Sequence, residues 1–199
     1  GFSKLLTYGT AKIDKSRANS NVWEAVLYMS PATESVAYGG ANLCPNAGSC
    51  ASICLGNHSG RMAMPGSMRA RLNRTFLYLR ERDKFYAQLG KEIDAHVRQC
   101  RRKGMRPAIR PNGAQDLRGL GNWVARYCAT KYGVGEVAVY DYTKIAPSHT
   151  DGYHLTYSYS ERPESLRVSL DWLARGGSVA VVFAVRKGQP LPESWHGYP

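Results

Sequence analysis

MRPAIRPNGAQDLRGLGNWVARYCATKYGVGEVAVYDYTK, residues 105–144, changes its hydrophobic period twice. It opens on a short apolar run, MRPAIRP, and passes through a loop holding Asn112, Gly113 and Asp116. It then takes up helical spacing over GLGNWVARYCATKYG and ends on the alternating GEVAVYDY. Strand, loop, helix and strand in that order make the unit of a parallel sheet, because parallel neighbours need a crossover on one face.

The same order extends in both directions. Toward the C-terminus, YHLTYSYS (153–160) reads as a strand, PESLRVSLDWLARGG (163–177) as a helix and SVAVVFAV (178–185) as a continuous apolar strand. Toward the N-terminus, NVWEAVLYMS (21–30) reads as a strand ended by Pro31. Two helices follow it. SMRARLNRTFLYLRE (67–81) takes Ser67 as N-cap and aligns Leu72, Phe76 and Leu79. DKFYAQLGKEIDAHVRQCRRKG (83–104) takes Asp83 as cap, repeats Phe85, Leu89, Ile93, Val97 and Cys100 at helical spacing, and has a basic last turn before Gly104. The pattern predicts one α/β domain over residues 1–199, built as a partial or complete parallel (β/α) barrel. The link between YDYTK and YHLTYSYS carries no helix signal.

Composition limits the surroundings of this domain. No apolar run approaches the length that crosses a bilayer, so no membrane partner is expected. The opening GFSKLLTYGTAKIDKSR lacks a signal-peptide h-region, which makes a cytoplasmic location the expectation. Five cysteines in a reducing compartment argue against a disulfide framework. Cys100 and Cys128 read as buried structural thiols, and His96, inside a basic helix, as a surface residue. The formal net charge is +12, with Arg- and Lys-rich stretches at 61–84 and 98–106. Such stretches either attract a polyanion, nucleic acid or a nucleotide, or simply solvate helix faces. The P-loop, G-x-G-x-x-G, H-E-x-x-H and G-x-S-x-G patterns are all absent from the sequence.

The distinctive polar stretches share one position, just after a strand. They are the loop after 21–30, then RPNGAQD, DYTK, SYSERPE and VRKGQP. Ligand sites of parallel α/β folds assemble at the carboxyl ends of the strands. The predicted pocket lining is therefore Asn112, Asp116, Asp141, Lys144, His154 and Ser158. Several of these have structural alternatives. Asp116 also suits a cap for the helix near Gly119. Asp141 and Lys144 also suit a rim ion pair, and Arg110 suits either a carboxylate or a phosphate. His154 and Ser158, with Thr156 and Ser160, fall on one side of their strand, which faces either a lumen or solvent.

The loop after 21–30 contains CPNAGSCASICLGNHSGR (44–61), with Cys44, Cys50 and Cys54 spaced C-x5-C-x3-C and His58 beyond them. Three thiolates and an imidazole can close a tetrahedral zinc site. Three thiolates alone can hold an iron–sulfur cluster with one iron open. Three unligated thiols in a loop are the remaining reading.

The chain is similar to a family of bacteriophage-encoded proteins that look distantly like radical SAM enzymes. The resemblance rests on Cys44, Cys50 and Cys54 with Leu55 and Gly60-Arg61, on Arg69 and Arg71, and on Arg110, Asn112, Gly113 and Asp116. It continues through YDYTK (140–144), YHLTYSYSE (153–161) and VAVVF (179–183). The superfamily loop is C-x3-C-x2-C, so both gaps are longer here. The resemblance implies a radical-SAM-like barrel, a [4Fe–4S] cluster on Cys44, Cys50 and Cys54, and binding of S-adenosylmethionine to the open iron. It further implies reductive cleavage of that molecule, a bacterial host's cytoplasm as location, and a C-terminal extension beyond Pro199. With the basic surface, the substrate expected is nucleic acid or a nucleotide. The alternatives are a zinc-stabilised, non-catalytic nucleic-acid binder with His58 as fourth ligand, and an interaction protein whose cysteines are vestigial.

Overall fold

Leu6–Thr7 forms a two-residue strand, β1. Helix α1 (Ala11–Asn19) follows, capped by Thr10, whose hydroxyl accepts the Ile13 amide at 3.2 Å. Neither element was legible in the sequence: β1 is too short for a period, and Ile13 is the one large apolar side chain of α1. Strand β2 (Val22–Leu27) is the core of the predicted 21–30 run. The computed structural model describes residues 4–54, 56 and 60–199.

Helix α2 spans Pro65–Arg80 and α3 spans Arg82–Arg102. The predicted caps are both displaced. Pro65 starts α2 because its fixed φ suits the first helical position and its missing N–H has no partner there to lose, which leaves Ser67 inside the first turn. Glu81 is the break between the two helices, at φ −135° and ψ 57°, so Asp83 lies in the first turn of α3 rather than ahead of it. Gly104 ends the helix at φ 65°, as expected. Strand β3 (Arg106–Arg110), helix α4 (Arg118–Tyr132) and strand β4 (Ala138–Thr143) realise the strand–helix–strand unit of 105–144. Strand β5 (Tyr153–Ser158), helix α5 (Ser165–Ala174) and strand β6 (Ser178–Ala180) complete the order.

The six strands form one sheet in sequential order, β1 antiparallel to β2 and every later pair parallel. Residues 144–152 link β4 to β5 without a helix, as the sequence indicated. The sheet is open: β1 and β6 are its edges and do not meet, so the complete barrel is corrected to an open, mostly parallel six-stranded sheet. The strand predicted over 178–185 also stops early. Only residues 178–180 pair with β5, and Val182 is 95% exposed, because no further strand among the described residues offers its backbone a partner.

One face of the sheet carries the core. Ala25, Leu27, Ile109, Val139 and Tyr153 meet Phe85, Leu89, Ile93 and Val97 of α3 and Leu120 and Val124 of α4. Each large apolar side chain sealed this way contributes roughly 1.5–3 kcal/mol. Cys100 and Cys128 are buried as predicted, and burial pushes their thiols up to about 11 and about 12, so both stay neutral. His96 is not a surface residue. It is 1% exposed, with Nε2 2.9 Å from the Trp23 carbonyl and its ring against Tyr8 and Trp23, and burial lowers its pKa. The basic residues that surround it in sequence face outward while helical spacing turns His96 inward with Ile93, Val97 and Cys100.

Candidate functional site

Side chains alternate along a strand, so the strands present their ends, not their middles, to a ligand above the sheet. Here the loop after β2, the loop after β3 and the ends of β4 and β5 enclose one cavity of about 130 Å³. Cys44, Cys50 and Cys54 line it together with Asp116, Lys144 and Ser158. Four of the five predicted polar stretches thus converge, and the one after β6 does not reach this cavity.

The cysteine loop is held by short-range turns and by long-range anchors. The Cys44 amide donates to Asn42 Oδ1 at 2.8 Å, Ala47 N to the Cys44 carbonyl at 3.1 Å and Cys50 N to the Ala47 carbonyl at 3.0 Å. Arg71 of α2 grips the Glu34 carboxylate, Nε–Oε2 at 3.2 Å, and donates to the Met62 carbonyl at 2.7 Å, so it clamps segments on both sides of the cysteines. Glu161, after β5, accepts the Ser49 amide at 2.8 Å, and that bond holds its carboxyl down at about 2. Asp116 N donates to the Leu43 carbonyl at 2.9 Å. Cys44 is half-buried with Sγ 3.5 Å from the Ala114 carbonyl, and burial pushes its thiol up to about 11. Cys54 is half-buried and Cys50 exposed.

Asp116 does not cap α4, which begins after Leu117 with no side-chain cap. Its carboxylate accepts Thr143 Oγ1 at 2.9 Å and Lys144 N at 2.8 Å, joining the β3 loop to the end of β4; burial raises its pKa. Lys144 has no carboxylate within ion-pair distance among the described residues.

Asn112 and Asp141 lie beneath the cavity rather than in its lining. Asp141, 1% exposed, accepts Asn112 N at 2.9 Å, Asn112 Nδ2 at 2.7 Å and the Tyr153 hydroxyl at 2.6 Å. Burial pushes its carboxyl up to about 7 against the opposing pull of these donors and of Arg110. Asp141 pairs with Arg110, Nε–Oδ1 at 3.9 Å, and forms no ion pair with Lys144. His154 is exposed on β5 and lies outside the cavity lining. His58 and Leu55 lie outside the described residues.

Sequence reasoning passed over three residues that build this site. Gln115, 4% exposed, accepts the Met29 amide at 3.0 Å and donates to the Pro111 carbonyl at 2.8 Å, stitching the ends of β2 and β3. Glu34 and Glu161 anchor the cysteine loop. A loop carboxylate or amide that satisfies distant backbone has no period to reveal it; RPNGAQD drew attention to Gln115 only by its position after a strand.

Among the described residues, no three His, Cys, Asp or Glu side chains converge closely enough to enclose a single ion. The three thiols surround a space instead. The donor set is soft, and thiolates suit zinc, copper(I) and iron–sulfur clusters. Burial keeps the free Cys44 thiol protonated, so a metal group bound there would have to displace its proton.

The fold and cavity define an open, mostly parallel α/β protein with a thiol-lined mouth at its strand ends. The chain belongs to the Gene product 88 family, whose model matches residues 4–198. This is a family of the phage type. No curated protein and no solved structure matches the chain. No helix among the described residues is long and apolar enough to cross a membrane.

Proposed function

We propose that Cys44, Cys50 and Cys54 hold a [4Fe–4S] cluster and that the protein is a radical-SAM-like enzyme of the Gene product 88 family. The single observation that supports this most is the shared cavity: three thiols of one loop after a parallel strand face Asp116, Lys144 and Ser158 from three other strand ends. A single zinc ion draws its sulfurs to about 2.3 Å from one point. Thiols spread around a cavity suit a larger inorganic core better. When bound, such a cluster supplies an electron and an open iron for S-adenosylmethionine. The chain's own residues would do the remaining work. The Arg71 clamp and the Glu161 tether would hold the loop, Asp116 would fix the end of β4, and Lys144 would meet an anionic group of the ligand.

Anaerobic purification with iron, sulfide and zinc measured per chain tests the reading. The expected result is about four irons and four sulfides with a visible chromophore lost in the Cys44→Ser/Cys50→Ser/Cys54→Ser variant. One zinc per chain, lost on His58→Ala, would overturn it in favour of the zinc-stabilised nucleic-acid binder. No metal under any reconstitution would overturn both.

A further inference from the structure

The face of the sheet opposite the core carries its own cluster. By alternation, Glu24, Arg110, Tyr140 and Tyr142 lie on the side away from Ala25, Leu27, Ile109 and Val139, which meet the helices. The Arg110 guanidinium sits 5.2 Å from the centre of the Tyr142 ring. Its Nε is sealed from solvent with no hydrogen-bond partner, and the nearest carboxylate, Asp141, stands at 3.9 Å. Among the described residues nothing accepts a hydrogen bond from Arg110. The acid on this face is already engaged, since the Tyr140 hydroxyl donates to Glu24. Tyr142 is 45% exposed and also borders the thiol-lined cavity. A guanidinium that has no hydrogen-bond acceptor among the described residues, its sealed Nε turned to Asp141 at 3.9 Å, therefore lies beside an exposed aromatic ring at the edge of the proposed reaction site.

We infer that Arg110 and Tyr142 bind the phosphate and the base of a nucleotide substrate, the guanidinium taking the phosphate and the ring stacking on the base. The inference rests on the enzyme reading for its place in a reaction, and it stands on its own as a binding site. A planar fork matches phosphate oxygens in pairs, whereas a tyrosine face is indifferent to which base it meets. Phosphate alone would use only half of the site. The burial that pushes the Asp141 carboxyl up to about 7 lessens its competition for the guanidinium. The nucleotide is either free or part of a single strand, since both present the same phosphate and base.

Titration of the full chain with adenosine 5′-monophosphate, inorganic phosphate and a short single-stranded oligonucleotide tests this, in the wild type and in the triple cysteine-to-serine variant. The expected result is binding of the monophosphate or the oligonucleotide, the better of the two identifying the source, and weaker binding of inorganic phosphate. Arg110→Gln should weaken nucleotide binding by about tenfold to a hundredfold. Arg110→Lys, which keeps the charge and loses the fork, should restore only part of it. Tyr142→Ala, at an exposed ring, should weaken the nucleotide about tenfold and leave inorganic phosphate unchanged. No nucleotide binding, or nucleotide affinity unmoved by both Arg110→Lys and Tyr142→Ala, overturns the inference. Persistence of Arg110-dependent binding in the triple cysteine variant separates this site from the cluster, so loss of the cluster reading and loss of the nucleotide site appear in different measurements.

Discussion

Arg71 and Glu34 form a buried two-pronged ion pair, with side chains 2% and 7% exposed, 37 residues apart in the chain. Glu34 precedes the cysteines and Arg71 follows them. The pair therefore closes the base of the loop that carries Cys44, Cys50 and Cys54, while the Met62 carbonyl takes the third bond of the same guanidinium. Arg71 is one of the residues that carry the family resemblance, and in the fold it holds this loop.

Removing one member of that pair strands the other charge in the interior. Arg71→Met or Glu34→Leu should each cost about 3–5 kcal/mol in urea denaturation. The double replacement Arg71→Met/Glu34→Leu should cost less than the two singles added together, because an apolar pair leaves no buried charge. A single-variant loss below about 1 kcal/mol would show that the loop is held elsewhere.

Gly48 sits between Cys44 and Cys50 at φ 55°, and a Cβ there would lie 2.6 Å from Glu161 Oε1. Gly48→Ala should therefore strain the turn by about 1–2 kcal/mol and push Glu161 off the Ser49 amide. The readout is alkylation of half-buried Cys44 against buried Cys100 as internal reference. Gly48→Ala should speed the first and leave the second unchanged. Glu161→Ala should do the same to a smaller extent, since it releases the tether without bending the backbone. Unchanged Cys44 protection in both variants would remove Glu161 from the loop's support.

Asp116 joins two strand ends with two acceptors, and an alanine there replaces neither. Asp116→Ala leaves both Thr143 Oγ1 and Lys144 N without their carboxylate partner, whereas Asp116→Asn can keep its carbonyl on Lys144 N and donate its amide to the Thr143 hydroxyl. A cost of about 1–3 kcal/mol is expected of Asp116→Ala. Thr143→Val removes only the hydroxyl, so it should cost less and leave the Lys144 amide bound. Equal stability of Asp116→Ala and wild type would assign Asp116 to the cavity alone.

Much of this architecture follows from patterns that physical periodicity imposes. The helical stripe Phe85, Leu89, Ile93 and Val97 is buried throughout, and the strand–helix–strand unit of 105–144 folds as its periods indicate. The same reasoning placed Asp116, Lys144 and Ser158 at strand ends, where they line one cavity with the cysteines. A local pattern says less where a residue's partner is distant. Asn112 and Asp141 follow strands as a ligand-binding pair would, yet they satisfy each other and Tyr153 below the cavity. Val182 belongs to an apolar run that reads as a buried strand, but burial depends on neighbours that a local pattern does not reveal. His96 illustrates the converse, a polar residue among basic ones turned inward by its place on the helix.

The Asp141–Tyr153 bond yields a pH-dependent prediction. Gly121 lets the two meet: a Cβ there would fall 1.9 Å from the Tyr153 hydroxyl. Asp141 has its carboxyl raised by burial from 3.8 to about 7 in the folded protein, so the native state holds this proton where the unfolded chain has released it. Its contribution to stability is fully present below the ordinary carboxylate range and is lost as pH rises through about 7. Tyr153 opposes that trend, because its hydroxyl favours the charged form. Tyr153→Phe removes this donor. It should therefore destabilise the protein more at pH 8, where Asp141 is charged, than at pH 5, where it is protonated; the difference should be about 1–2 kcal/mol in denaturant midpoints converted at constant slope. Asp141→Asn cannot ionise, so in that background Tyr153→Phe should cost the same at both pH values. An equal cost of Tyr153→Phe at pH 5 and pH 8 in the wild-type background would mean that Asp141 keeps one protonation state across the range and that its three donors, not its burial, set its charge.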